Sequence, residues 1–565
     1  MRILGIQKDH NSSACLFIDK ELIYYNQEER LSRKKKDSGL PIQTLFEICK
    51  LSPTIDVLLI SGYDHIYSEC LSIVSIIEKL GFKLSNNFEF IPYYKSHHLT
   101  HAALAFYNSK FQDALVMVCD GHGSNYNLSN GGQADETTSI FSVSYPDQFK
   151  LLYRRFSTHA AIDESTSIIW DNSLALQKTP VPNYLSKNTD IEIRNDFDLG
   201  RMYEGTSRSL GFDDEGGKMM SLQSFGDIDQ ETPPVLQNNK FNMSVFAFDN
   251  YTHIGFNTLV YEDLNNNNTK LNFAAKVQDV FQTQGLKLIK TYLDKSNHKN
   301  IILSGGTSLN VVANNYYKNN LPSDINLYIE PMCGDEGNCL GICRHFIYNR
   351  YKPVQSVTPL SIYIGGNLPS YDYKLLPKET EIQNVDEEVI AGLLEAGHVV
   401  GLFQGRSEGG PRALGNRSLL YDPRVKNGKD IVNNIKGREE FRPFAAAVLQ
   451  ECASDWFDLK NINCSPHMMY AVDYKENMLE LVPAVAHVDG TCRIQTVSKK
   501  DNKFLYLLIN KFFKKTQIPM VLNTSFNLAG DPIVETVNDA LDSLRRSKLE
   551  YLWLPDVGKL IIVRN

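Results

Sequence analysis

Two histidines in the segment KSHHLTHAALAF, His97 and His101, stand four residues apart. On a helix that spacing sets both imidazoles on one face, where two ring nitrogens can grip a single cation. His98, three residues before His101, competes with His97 for that role. A helix end that merely happens to be rich in surface or core histidines would read the same way. Two acids favour the metal. Asp120 closes the apolar run ALVMVCD, and Asp335 lies in EPMCGDEGN among turn glycines. Two imidazoles and two carboxylates suit a borderline divalent ion such as Fe(II), Mn(II) or Zn(II). Whether the four groups converge is decided by the fold.

A second kind of chemistry is suggested by glycine turns and clustered cations. SGGTSLN (304–310) follows an apolar strand, and EGGKMMSL (215–222) is a second Gly-Gly segment. Both are expected as turns whose backbone amides could approach a phosphate or an adenine ribose, although neither is a Walker motif and tight turns are common. Arg33, Lys34, Lys35 and Lys36 form a basic run in EERLSRKKKDSG: a solvated face, or a receiver for an anion. The densest signal lies further on, in GRSEGGPRALGNRSLLYDPR (405–424) and NNIKGREEFRPF (433–444). Arginine forks among turn glycines and prolines point to an oxyanion site more than to a surface laced with ion pairs. HVDGTCRIQT and VLNTSFNLAGDP add Arg493 and Ser525 next to strand-like runs.

These groups must be positioned by an α/β framework. RILGI, SACLFID and ELIYYNQ read as three strands rich in β-branched, aromatic and apolar residues. ALVMVCD, SIFSVSY and KLLYRRF look like a second triplet, so a duplicated fold is expected. Apolar residues at helical spacing predict a helix over 273–296, and the four asparagines 265–268 predict a solvated loop before it. The Pro-containing stretch 351–373 marks a domain boundary, and the chain closes on a strand in KLIIVR.

At 565 residues the chain exceeds one ordinary core. Its 42% hydrophobic and 22% charged residues are those of a soluble globular protein. No run of about 20 apolar residues is present to span a bilayer, so no membrane partner is expected. The start MRILGIQKDH does not look like a secretory signal, and ten cysteines without CxxC spacing suit reduced thiols, so a cytoplasmic location is expected. A net charge of -8 gives no general attraction to nucleic acid.

Taken in order, ILGI…DHNSSACL, EERLSRKKKD, HHLTHA, CDGHGS, LGF…EGGKMMSL, SGGTSLN, PMCGDEG, GPRALGNRS, REEFRPFA, HVDGTCRIQTV and LNTSFN resemble the O-carbamoyltransferases of the nodulation-factor, tobramycin, cephem and ansamycin type over nearly the whole chain. The resemblance implies a duplicated actin-like ATPase-fold (RNase H-like) domain over 1–350, a linker over 351–372 and an α/β YrdC-like domain over 373–565. It implies an ATP-dependent carbamoyltransferase working in two steps. Carbamoyl phosphate and ATP would give carbamoyl-adenylate in the C-terminal half, and an acceptor hydroxyl would then displace AMP in the N-terminal half. Arg412, Lys436, Arg442, Arg493 and Ser525 fall on the family's positions for carbamoyl phosphate and ATP. His97, His101, Asp120 and Asp335 fall on its metal positions, with Fe(II) the leading candidate and Mn, Zn or Mg as alternatives. Gly305, Gly306, Asn310 and Lys218 would bind the nucleotide in the transfer domain, and His10 and Lys35 match a catalytic pair near the transferred group. The chain departs from the family at His10-Asn11, where His-Asp is usual, and at Asp531-Pro532, where Glu-Pro is frequent.

The acceptor expected is a hydroxyl-bearing sugar or antibiotic-like small molecule, or a hydroxymethylated pyrimidine in DNA, and a homodimer is allowed. Two other functions compete: an actin-like-fold sugar kinase or ATPase, and a component of tRNA threonylcarbamoylation.

Overall fold

A computed structural model of the chain describes all residues except 63–66, 159, 171–184, 197, 213–215, 238–239, 243–266, 354–357, 372–375, 377–379, 461 and 565. The chain divides into two compact units. The first comprises Met1–Glu28, Asp37–Ala313 and Asn320–Leu360; the second comprises Glu29–Lys36, Asn314–Asn319 and Ser361–Asn565.

The first unit is built on two sheets of the same design. β1 (Arg2–Gln7), β2 (Ser13–Ile18), β3 (Glu21–Gln27), β4 (Thr54–Ser61) and β5 (Lys83–Pro92) lie in the order β3-β2-β1-β4-β5. β1, β2 and β3 pair antiparallel, whereas β1–β4 and β4–β5 are parallel. The second sheet begins with β6 (Asp113–Cys119), β7 (Asn125–Asn127), β8 (Gln133–Ser144), β9 (Gln148–Thr158) and β10 (Leu185–Arg194). After the small hairpin of β11 (Leu236–Gln237) and β12 (Lys240–Phe241) it continues with β13 (Asn300–Ser304) and β14 (Asn326–Ile329). Its order is β10-β9-β8-β6-β13-β14, with antiparallel β6–β8 and β8–β9 and parallel β6–β13 and β13–β14. Apart from β7 and the edge strand β10, the two sheets have identical connectivity and sense, which is the duplicated RNase H-like pattern.

Helices cover the first sheet on both faces, which is why its strands read as nearly continuous apolar runs. On one face Leu4, Ile6, Leu58 and Ile60 pack against Leu45 and Ile48 of helix Ile42–Leu51 and Ile73 and Ile77 of helix Tyr67–Lys79. On the other, a Cβ at Gly5 would lie 2.4 Å from Cys343 Sγ, so only glycine lets helix Asn338–Tyr351 approach β1 this closely. That helix packs in turn on helix His97–Ser109, which lies against β6 and β13 of the second sheet. The two helices between the sheets are the elements that carry or flank His97, His101 and Asp335.

Two local expectations are corrected. Residues 216–222 of the second Gly-Gly segment form a short helix, not a turn, with Ser221 Oγ donating to the Gly217 carbonyl at 2.9 Å. The long helix spans Asn267–Lys295, so Asn267 and Asn268 open it instead of preceding it; Asn265 and Asn266 lie outside the described residues.

The second unit is organised around one mixed sheet. β15 (Thr380–Asn384), β16 (Val400–Phe403), β17 (Arg417–Tyr421), β18 (Ala445–Leu449), β19 (Phe457–Asp458), β20 (Ala471–Tyr474), β21 (Thr491–Val497), β22 (Met520–Ser525), β23 (Tyr551–Leu554) and β24 (Lys559–Val563) run in the order β15-β24-β23-β16-β17-β22-β18-β21-β20-β19. The segment Glu29–Lys36 is held inside this unit. Arg33 donates to the carbonyls of Ile533 and Pro532 at 2.7 and 2.9 Å, and the buried Arg30 donates to Gly410 at 3.0 Å. Among the described residues no helix is long and apolar enough to cross a membrane.

Candidate functional site

The helix that starts at His97 places His97 and His101 one turn apart, and their Nε2 atoms lie 3.1 Å from each other. Asp335, on the single helical turn Asp335–Gly337, brings Oδ1 to 3.3 Å from each ring nitrogen. Asp120, directly after β6, brings Oδ2 to 3.7 Å from His97 and 3.3 Å from His101. All four ligand atoms lie within 4.8 Å of one another. A four-coordinate ion with bonds of about 2.0–2.2 Å spaces its ligand atoms roughly 3.3–3.6 Å apart, so this donor set fits a divalent cation.

Electrostatics say the same. Burial opposes charge on His97, yet Asp335 and Asp120 outweigh it and push the imidazole up to about 10. His101 is raised against burial by the same acids, while the imidazoles hold both carboxyls below their ordinary range although burial acts the other way. A bound cation would take the place of those ring protons. His98 turns elsewhere: its Nδ1 is 2.9 Å from Ser139 Oγ and 3.4 Å from Glu136, and burial lowers it to about 4. The pairing left open by spacing is therefore His97 with His101. Asn338 is a neighbour that the spacing argument missed. Its Nδ2 lies 3.3 Å from His101 Nε2, and its Oδ1 accepts from Thr100 Oγ1 at 2.7 Å.

The first glycine turn adjoins this cluster. Gly305 has φ +87°, and a Cβ there would lie 2.2 Å from the Cys119 carbonyl; one at Gly306 would lie 3.1 Å from Asp120 Oδ1. Asn310 has a structural task, accepting from the Ala313 amide at 3.0 Å and donating to Gln278 at 2.9 Å. Lys218 sits on the short helix 216–222, with its ammonium 6.0 Å from the Phe212 ring centre. His10 is exposed in the turn between β1 and β2, flanked by Asp9 and Asn11 in left-handed conformations. Asn11 suits that conformation because its short polar side chain tolerates it. His10 belongs to the first unit and Lys35 to the second.

In the second unit, cations gather in a buried setting. Lys436 donates to the Ser525 carbonyl, to the Asn527 carbonyl at 2.8 Å and to Asn527 Oδ1 at 3.0 Å. Burial, together with Arg438, Arg442 and Lys35, lowers its ammonium well below the usual range. Burial and the guanidinium groups of Arg412, Arg438 and Arg442 do the same to Arg493, whose Nε has no hydrogen-bond partner among the described residues. Arg438 is held at about 9 by burial and Arg442. Ser525 Oγ donates to Asn527 Oδ1 at 2.6 Å. The structure thus gathers Lys35, Arg412, Lys436, Arg442, Arg493 and Ser525, and adds Arg438 and Asn527. The REEFRPF run contained the signal for Arg438, which lies over the Phe444 ring at 4.2 Å. Cations that repel one another in a buried setting could hold a polyanion.

The family described as "Carbamoyltransferase N-terminus" matches residues 63–343, and "Carbamoyltransferase C-terminus" matches 391–560. An uncharacterized protein of Methanocaldococcus jannaschii is 30% identical, covering 98% of both chains. Nodulation protein NolNO of Sinorhizobium fredii is 29% identical over 98% of this chain and 79% of its own. Among solved structures, full-length HypF in its phosphate- and nucleotide-bound form matches 62% of this chain and 46% of that chain at 13% identity, with a TM-score of 0.36. A likeness that distant adds nothing to the reading of the site.

Proposed function

We propose, from the premise that this chain belongs to the carbamoyltransferase family, that it uses ATP and carbamoyl phosphate to carbamoylate a hydroxyl group through a carbamoyl-adenylate. The observation that carries the ATP and carbamoyl phosphate assignment is the cation cluster of the second unit, read as a YrdC-like domain. Its charges repel one another in the free protein and would be relieved by phosphate oxygens.

In the first step carbamoyl phosphate gives up phosphate to water, and the resulting carbamate oxygen attacks the α-phosphorus of ATP, expelling pyrophosphate. Arg412, Arg438, Arg442 and Arg493 would neutralise the phosphate charge, and Lys436, fixed by Ser525 and Asn527, would stand by the leaving oxygens. In the second step the acceptor oxygen bonds to the carbamoyl carbon and AMP leaves. His10 would take the hydroxyl proton. His97, His101, Asp120 and Asp335 would hold the divalent ion, Fe(II) by preference for this mixed donor set. When bound, that ion supplies positive charge for the adenylate phosphate. The glycine turn at 305–306 beside Asp120 would admit the nucleotide backbone to the same place.

The acceptor is a sugar or antibiotic-like small molecule, or a hydroxymethylated pyrimidine in DNA. Mass spectrometry of such hydroxyl compounds, incubated with enzyme, ATP, carbamoyl phosphate and Fe(II), should show one carbamoyl unit gained. Activity on DNA should also fall steeply with salt. Arg442→Ala should abolish carbamoyl-phosphate-dependent pyrophosphate release, whereas His101→Ala should spare it and lose transfer. Equal loss of both half-reactions in both folded variants would refute the division of labour.

A further inference from the structure

Arg412 stands on the connection between β16 and β17, in the run EGGPRALGN (408–416). A run so rich in glycine has few side chains with which to hold its own shape, yet this one is tied down along its length. Glu408, only 1% exposed, joins its start to its end. Its Oε1 accepts from the backbone amides of Leu414 at 2.7 Å, Asn416 at 2.9 Å and Arg417 at 3.3 Å. Its Oε2 has no hydrogen-bond partner among the described residues. Burying a carboxylate is costly, and three amides on one oxygen offset that cost with charge-assisted hydrogen bonds.

The far end of the run is fixed to the sheet. Asn523 Nδ2 donates to the Ala413 carbonyl at 3.3 Å, and Gln495 Nε2 donates to the Leu414 carbonyl at 2.8 Å. Residues two apart on a strand share a face, so Gln495 shares one with Arg493 on β21, and Asn523 shares one with Ser525 on β22. Ala445 of β18 pairs with both Arg493 and Asn523, which sets these side chains on the same face of the sheet. The run therefore lies over the face that carries Arg493 and Ser525. Arg412, the residue before Ala413, is partly exposed there and is the cation that bears most strongly on Arg493.

We propose that Glu408 is a positioning residue of the anion site: by holding residues 414–417 to the start of the run, its Oε1 fixes the place from which Arg412 meets phosphate oxygens. This rests on the reading of the second unit as a site for ATP and carbamoyl phosphate. Glu408 touches neither ligand, since it is buried and carries the same sign of charge. What it supplies is preorganisation, so that binding need not order the loop. Reach is the property that matters. A glutamine keeps the accepting oxygen at the same distance without the charge, whereas an aspartate keeps the charge and draws the oxygen back by one methylene.

The test titrates the full-length protein with ATP, and separately with carbamoyl phosphate, by calorimetry, with thermal melting as the check on folding. Arg412→Met identifies the ligand of that arginine, whose affinity should fall roughly tenfold or more. Glu408→Asp should weaken the same ligand by a similar factor, while Glu408→Gln should bind it like wild type. In the Arg412→Met background Glu408→Asp should have no further effect, because the residue it positions is gone. Wild-type affinity in folded Glu408→Asp or in Arg412→Met overturns the proposal. So does a loss in Glu408→Asp that is the same with and without Arg412, which would mark general damage to the loop. An equal loss in Glu408→Gln and Glu408→Asp overturns it as well, by showing that charge and not reach is required. A wild type that binds neither ligand refutes the anion-site reading and the proposal with it, and that result is seen before any variant is made.

Discussion

Arg438 sits among Lys436, Arg442 and Arg493, with Nε bonded to Asn433 at 2.6 Å and its plane over Phe444. Holding like charges together costs stability, and a bound anion would offset that cost. Replacing Arg438 by Met keeps the stem against Phe444 and removes one charge. A charge-assisted hydrogen bond is worth about 1.5–3 kcal/mol, so ATP affinity should fall roughly tenfold to a hundredfold. Thermal stability of the free protein should hold or rise, because the repulsion on Lys436 and Arg493 is relieved. Calorimetric titration with ATP alongside thermal melting checks both, and an Arg438→Met protein with wild-type affinity would exclude Arg438 from the site. His98 makes the contrasting case. It is as buried as His97, but it faces Ser139 and Glu136, so identity and burial do not make a ligand; direction does.

At the scale of elements, the candidate metal centre depends on how closely two helices approach. A Cβ on Gly341 would lie 2.1 Å from the Thr100 carbonyl, inside the helix that carries His97 and His101. Gly341→Ala must therefore push helix Asn338–Tyr351 away, at a cost of about 1–3 kcal/mol or more. The same displacement moves Asp335 relative to the histidines. Both Tm and divalent-metal affinity, read by equilibrium dialysis, should drop together; a variant that melts like wild type would show that the interface yields without strain. Much of this level was legible beforehand. The strand triplets opening at residues 2 and 113 are apolar runs broken by polar turns, and local chemistry suffices for those. The helix 216–222 was not legible, because two adjacent glycines carry the same local signal in a turn and in a helix start. Nor could spacing along the chain show that Asp335 meets His97, far away in sequence; only the parallel crossovers of the two sheets and the helices packed between them bring the two together.

At the scale of the whole molecule, the second unit is not a continuous stretch of chain. It takes Glu29–Lys36 and Asn314–Asn319 from within the first, and Asn314 Nδ2 donates to the Met469 carbonyl at 3.0 Å. A boundary read from composition near 351–373 could not show this, because a short segment with a basic run looks like any solvated face until its partners are known. A fragment of residues 361–565 lacks the contacts of Arg30 and Arg33 with the carbonyls of Gly410, Pro532 and Ile533. It should unfold at lower denaturant than the same unit in the full chain, monitored by the fluorescence of Trp456 and Trp553. Equal midpoints would mean the borrowed segments contribute nothing.

The borrowed segment Glu29–Lys36 also bears on how the protein is made. It leaves the ribosome long before the sheet that receives it is complete, because that sheet includes β24 (Lys559–Val563). Throughout synthesis of the intervening chain, Arg30 and the basic run must wait without their final neighbours. The same order constrains heredity: a gene cut anywhere between the units would strand a piece of one in the product of the other, so the two units are tied to a single polypeptide by the path of the chain.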